Sequence, residues 1–237
     1  MPSSKTGRRC PTPWPACGWC GYWRRRRSRC SAGGRSSVLT DATRDYFVHD
    51  TALVATDRIG AGTRIWAFCN IQRDVTIGRD CNICDHCSIE PNVVVGDRVT
   101  VKNGVSLWDG MTIEDDVFIG PNAVFTNDVF PRSKKPLDQP DRTLLRQGAT
   151  IGANAVVVAG RVIGRWAFIG AGAVVTRDAG DFTLWLGNPA RPVGYVCRCA
   201  RRLPVAYEDE VTGDSRSVTC ECGLEYRIDV DGVTELS

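Results

Sequence analysis

Val75-Thr76-Ile77-Gly78-Arg79-Asp80-Cys81-Asn82-Ile83-Cys84-Asp85-His86-Cys87-Ser88-Ile89-Glu90-Pro91-Asn92-Val93-Val94-Val95 repeats itself every six residues. Ile77, Ile83, Ile89 and Val95 hold one large aliphatic phase, and a smaller residue sits four positions after each. Outward from this stretch the large phase runs without a miss through Ile59, Ile65, Ile71, Val101, Leu107, Ile113, Ile119 and Phe125. Phe47 and Leu53 extend it backwards. It resumes at Ile151, Val157, Ile163, Ile169 and Val175. The smaller phase includes Thr63, Cys69, Val75, Cys81, Cys87, Val93, Val99, Val105, Val117 and Ala123. A sandwich of alternating strands would show period two and turns every eight to twelve residues. Hexapeptide periodicity marks a parallel β-helix instead.

Each hexapeptide supplies one short strand and one turn, so three make an eighteen-residue coil of triangular section. The large aliphatic fills the prism, the small residue fits the tight corner region, and Gly, Asn or Asp accept the turn backbone. Stacked coils bury a continuous core and pair their strand edges. Cys69, Cys81 and Cys87 occupy the small inward position, where a thiol acts as a compact hydrophobe; Cys84 is read with them as packing. Arg161 breaks the pattern, which leaves open a distorted coil or a side chain reaching towards an anion. The repeat stops between Val129 and Gly148. Residues 130–148 form a protruding loop carrying Arg132, Lys134, Lys135, Arg142 and Arg146, a charge that suits phosphate groups.

Charge is unevenly placed along the 237 residues. The formal net charge is +3, but residues 1–37 hold nine Lys/Arg and no acid, which leaves 21 bases against 27 acids, or −6, on the rest. That body carries no electrostatic footprint for nucleic acid. Apolar runs reach only five residues, as in Ala155 to Ala159, too short for a membrane span. Residues 1–40 lack periodicity and read as a disordered basic extension, despite Cys10, Cys17, Cys20 and Cys30; a start codon placed too early, or a basic arm for acidic surfaces, are the alternatives. The Arg run from Arg24 to Arg27 has no apolar stretch behind it, so it is not a secretory signal.

Asp109 and Asn127 lie eighteen residues apart, one coil, and should stack at one corner, with Asp128 beside them where the loop departs. Two carboxylates and an amide at the root of a basic loop form a candidate site. His49 and His86 are the only histidines. This excludes a zinc site of three histidines, as the β-helical carbonic anhydrases need. Cys197-Arg198-Cys199 and Cys220-Glu221-Cys222-Gly223 pair up across twenty residues, and predict a small zinc-ribbon-like extension over 197–237. The one-residue spacing departs from the usual knuckle, so a disulfide or unliganded thiols stay open.

Several segments resemble one family. They are Gly60-Ala61-Gly62-Thr63-Arg64-Ile65-Trp66-Ala67-Phe68, Cys81-Asn82-Ile83-Cys84-Asp85-His86, Leu107-Trp108-Asp109-Gly110, Glu114 to Asn122, and Phe125-Thr126-Asn127-Asp128-Val129-Phe130-Pro131-Arg132-Ser133-Lys134. Together they resemble the nucleotide-3-amino-sugar N-acetyltransferases, and the dTDP-3-amino-3,6-dideoxyhexose branch in particular. Gly187-Asn188-Pro189-Ala190 is similar to the closing motif of most hexapeptide acyltransferases. The resemblance covers roughly residues 47–196. It implies a left-handed β-helix domain over 41–196, with acetyl-CoA as co-substrate and a dTDP- or UDP-linked amino sugar as acceptor for surface glycan synthesis. It also implies a cytoplasmic homotrimer with sites between subunits. Asp109, Asn127 and Asp128 would hold the sugar amine, with Asn103, His86, Arg132 and Lys134 on the substrate. Gly170, Ala171, Arg177 and Arg191 would meet acetyl-CoA. The competing readings are another hexapeptide O- or N-acyltransferase and a non-catalytic β-helix assembly subunit.

Overall fold

A left-handed backbone recurs at every sixth residue from 62 to 122, with φ between 55° and 82°, and again at 148, 154, 160, 166 and 172. These are the prism corners. Gly, Asn or Asp fills most of them, the residues to which this conformation costs least. Phe68, His86, Arg98 and Trp166 occupy it at about 1–2 kcal/mol each, offset by their surroundings. Between corners the chain makes two-residue strands such as Thr76–Ile77, Asn82–Ile83 and Ser88–Ile89, whose second residue is buried. The computed structural model describes residues 44–135, 141–205, 207, 215–229 and 232–236. The basic extension expected over 1–40 lies outside them.

The strands stack into three parallel faces. The first runs Phe47–Val48, Arg64–Ile65, Asn82–Ile83, Thr100–Val101, Phe118–Ile119, Thr150–Ile151, Phe168–Ile169 and Thr183–Leu186, closed by the antiparallel strand Arg191–Tyr195. The third runs Thr76–Ile77, Val94–Val95, Thr112–Ile113, Leu144–Leu145 and Val162–Ile163. The second is in two pieces. Leu53–Val54, Asn70–Ile71, Ser88–Ile89 and Ser106–Leu107 form one sheet, and Val124–Phe125, Val156–Val157 and Val174–Val175 another. No helix occurs among the described residues.

Inside the prism one continuous core holds both phases, from Ile59 to Val175, and includes Cys69, Cys81 and Cys87 as free buried thiols. Cys84 is buried as well. Polar insertions into this core are satisfied: Thr63 donates to the carbonyl of Gly78 and accepts from the N–H of Cys81.

The loop is shorter than the sequence predicts. Thr143 and Leu145 are buried, and Leu144–Leu145 pairs with Thr112–Ile113 and Val162–Ile163. The repeat therefore resumes at Thr143 rather than after Gly148. Leu145 keeps the phase of Ile151, but the polar Thr143 in the small inward position hides the hexapeptide. Across the loop the register offset rises from 18 residues (Thr100↔Phe118) to 32 (Phe118↔Thr150), fourteen more than one coil. Arg161 distorts nothing: its Nε donates to the carbonyl of Ala159, and its guanidinium lies 4.0 Å from Asp178.

The prism ends against the Cys-rich tail. The hairpins Arg216–Thr219, Glu225–Asp229 and Gly232–Leu236 form a small antiparallel sheet. Tyr226, Cys197, Cys220 and Leu203 pack with Phe182, and Trp166 joins from the outside. Gly148 makes room for that Trp. It lies one coil earlier with φ +70°, and a Cβ there would run into the indole.

Candidate functional site

The second face is where the regular ladder fails. From Arg64 to Lys102 the ladder N–H groups bond the carbonyl seventeen residues on, as Ser88 to Val105 and Glu90 to Leu107. The next pair in that series would join Trp108 N–H to Phe125 C=O. Instead the Trp108 indole Nε1 donates to the Phe125 carbonyl at 2.5 Å, and the Trp108 N–H turns to Met111 Sδ at 3.4 Å. The other two faces pass the same level intact, through Thr100↔Phe118 and Thr112↔Leu144. One face alone is opened, and one residue past its edge stands Asp109.

Asp109 is half-buried and tied to the preceding coil twice. Its N–H donates to Glu90 Oε2 at 3.2 Å, and its carboxylate accepts from Asn92 Nδ2 at 3.2 and 3.4 Å. Asn127 is exposed two residues past Phe125. Asp128 accepts the N–H of Phe130 at 2.7 Å, a turn that steers the chain into the loop. The Trp108–Phe125 bond thus brings together the segments that carry all three predicted residues. Glu90, Asn92 and Trp108 were not predicted, although they sit about one coil from Asp109 or beside it.

The remaining candidates fall elsewhere. His86 is exposed, stacked on Phe68 with ring centroids 5.0 Å apart and 13° between planes. Asn103 donates to Asp85 at 3.2 Å at that same corner. Both lie at the other end of the second face from Asp109, so the structure does not join them to it. Arg132 and Lys134 are exposed at the base of the loop. Gly170 and Ala171 lie past Phe168–Ile169, with the Gly170 N–H already used on Trp185 and that of Gly172 on Ala153. This leaves the Ala171 N–H as the donor of that turn without a bond among the described residues. Arg177 and Arg191 are exposed, Arg191 donating to the Ala190 carbonyl.

Cys197, Cys199, Cys220 and Cys222 bring their sulfurs within 4.8 Å of one another. Cys197 lies 3.4 Å from Cys222, and Cys199 3.7 Å from Cys220. A disulfide needs about 2.05 Å. Four sulfurs at about 2.3 Å from one tetrahedral zinc stand about 3.8 Å apart, so this donor set fits the ion. Tight turns solve the one-residue spacing: Ala200 N–H bonds Cys197 C=O, and Gly223 N–H bonds Cys220 C=O, both at 2.8 Å.

The family described as bacterial transferase hexapeptide (six repeats) matches residues 58–90 and 142–177. A dTDP-3-amino-3,6-dideoxy-alpha-D-galactopyranose 3-N-acetyltransferase of Aneurinibacillus thermoaerophilus is 51% identical over 195 residues, 82% of this chain and 97% of that one. The chain belongs to the hexapeptide-repeat N-acetyltransferases. Among other N-acetyltransferases of this kind, a 2,3,4,5-tetrahydropyridine-2,6-dicarboxylate enzyme of Staphylococcus aureus is 33% identical over 78 residues, 33% of this chain and 30% of that one. Of solved structures, a perosamine N-acetyltransferase variant of Caulobacter crescentus with CoA and GDP-perosamine superposes with TM-score 0.44 and 22% identity, over 62% of this chain and 55% of that one. No helix of this N-acetyltransferase is long and apolar enough to cross a membrane, among the described residues.

Proposed function

We propose that this N-acetyltransferase moves acetyl from acetyl-CoA to the 3-amino group of a dTDP-linked 3-amino-3,6-dideoxyhexose. The observation that carries this reading is the 51% identity to an enzyme named for that reaction, over nearly all of that enzyme's length. The opened face beside Asp109 supports the location. The neutral amine attacks the thioester carbonyl, the C–N bond forms, the C–S bond breaks, and the departing thiolate takes the amine proton. Such chemistry needs positioning above all. Asp109, held by Asn92 and through its backbone by Glu90, attracts the substrate ammonium, which releases one proton to solvent to become the attacking neutral amine, and Asn127 and Asp128 flank it. Asn103 and His86, one face away, reach the distal part of the acceptor. Arg132 and Lys134 meet its diphosphate, while Ala171, Arg177 and Arg191 serve acetyl-CoA.

The reading extends to the protein's setting. It assembles as a homotrimer, which encloses sites that one prism face leaves open. It works in the cytoplasm in building surface polysaccharide. The chain divides into an extension over 1–40, the β-helix over 41–196 and the tail over 197–237, and the four tail thiols hold one structural zinc.

A thiol-release assay on the full chain tests the reading, with acetyl-CoA and a panel of dTDP- and UDP-linked 3-amino sugars. CoA release should depend on a dTDP-3-amino sugar. Release no faster than in its absence, across the panel, would overturn the proposal.

A further inference from the structure

We propose that Trp108 is a positioning residue for acetyl transfer: its indole, set between two coils in place of a backbone hydrogen bond, fixes the gap across which Asp109 meets Asn127 and Asp128. The inference rests on the acetyl-transfer reading.

Three observations carry it. First, the break in the second face falls only between Ser106–Leu107 and Val124–Phe125, while both neighbouring faces continue through that level. A strained or loosely wound coil would open on more than one face. Second, the carbonyl released by the break is not left orphaned. Phe125 C=O accepts the indole N–H, and Trp108 packs its ring against the prism core. An unsatisfied carbonyl at this depth would cost about 1–3 kcal/mol, so the indole holds the opened state together. Third, among the described residues Asp109 hydrogen-bonds only with the coil behind it, through Glu90 and Asn92. Among them, no other hydrogen bond joins the two segments at this corner. The separation between Asp109 and the Asn127–Asp128 pair is therefore set through Trp108.

A backbone ladder at this place would draw the coils to the ordinary strand spacing of about 4.8 Å. Here the indole N–H takes the Phe125 carbonyl in place of a peptide N–H, and Ser106–Leu107 and Val124–Phe125 are left out of one ladder. A side-chain tether leaves the backbone edge beside Asp109 without a ladder to the next coil, where an acceptor amine can meet a thioester. Trp108 itself need not touch either substrate. Its work is done through the two segments it joins.

Trp108→Phe keeps a ring in the core and removes the donor. In the wild-type background Asn127→Ala should slow transfer about tenfold, the size of a lost hydrogen bond to a charged group. Trp108→Phe alone should lower kcat by about tenfold or more while leaving KM for acetyl-CoA within about twofold. The decisive measurement is the double variant. If Trp108 positions Asn127 against Asp109, Asn127→Ala should cost little once Trp108 is Phe, so the two losses do not add. Wild-type kcat in Trp108→Phe, or losses that multiply fully, overturns the inference. Should Trp108→Phe fail to fold by circular dichroism, Trp108→Tyr carries the same cycle. A wild-type chain inactive towards every 3-amino sugar would instead defeat the acetyl-transfer reading, which separates the two failures.

Discussion

The phenol of Tyr226, fully buried, donates a hydrogen bond of 3.1 Å to the Sγ of Cys197, and accepts one of 3.1 Å from the N–H of Arg198. A buried sulfur thus has a fixed donor aimed at it from outside the thiol cluster. Outer partners of this kind orient metal ligands and tune affinity.

Metal analysis of the purified chain should accordingly give about one zinc per molecule. Tyr226→Phe should retain the ion but release it to a chelator at least about tenfold more readily. Absence of metal after purification without chelator would refute the site. Because the tail packs on Phe182 and Trp166, removing the ion should also lower the melting temperature.

At the opened face, Asp109→Asn, Asn127→Ala and Asp128→Asn should each reduce kcat/KM about ten- to a hundredfold, about 1.5–3 kcal/mol of lost charge-assisted hydrogen bonding. An obligatory general base would cost about a thousandfold and reshape the pH profile. Steady-state kinetics over pH distinguish these outcomes. Wild-type values in all three variants would move the site to another face.

Residues 1–37 should be dispensable. A chain beginning at Val38 is expected to match the full-length protein in melting temperature and in turnover, since nine bases without periodicity contribute no hexapeptide to the prism. Lost turnover with unchanged stability would show the basic arm acting on substrate.

The guanidinium of Arg98 holds the Asp116 carboxyl below the usual carboxylate range, through hydrogen bonds of 2.6 and 2.9 Å from Nε and Nη2. A carboxylate lowered on folding adds stability above its unfolded value of about 3.9, and loses it as pH falls through the lower folded one. Both side chains are partly open to solvent, so the contribution is small. Urea unfolding should show Asp116→Asn slightly less stable at pH 7, with the difference vanishing towards pH 2.

Most of the scaffold was legible because the inward positions speak twice, once in size and once in period. Cys69, Cys81 and Cys87 could be assigned to the core from phase alone. Thr143 could not, since a buried hydroxyl looks like a loop residue until its neighbours are known. Its Oγ1 in fact accepts the N–H of Gly160. That the segments after Leu107 and Phe125 meet on adjacent coils followed from eighteen-residue arithmetic. The opening beside it did not, because no spacing announces that an indole will replace a peptide donor. Counting eighteen back from Trp108 reaches Glu90, and from Gly110 reaches Asn92, so that much was within reach. No spacing in the sequence joins Tyr226 to its partner Cys197, 29 residues away.

The fourteen-residue excursion after Asn127 departs and returns without shifting a single rung: Phe118 faces Thr150, and the rungs beyond resume their ordinary spacing. The stack of coils therefore acts as a socket that accepts an inserted segment without re-registering its neighbours. A segment of different length and charge can be exchanged there while the folding information upstream and downstream stays untouched. Under the proposed function, a graft between Asp128 and Thr143 is the smallest unit expected to change acceptor preference while leaving scaffold stability unchanged.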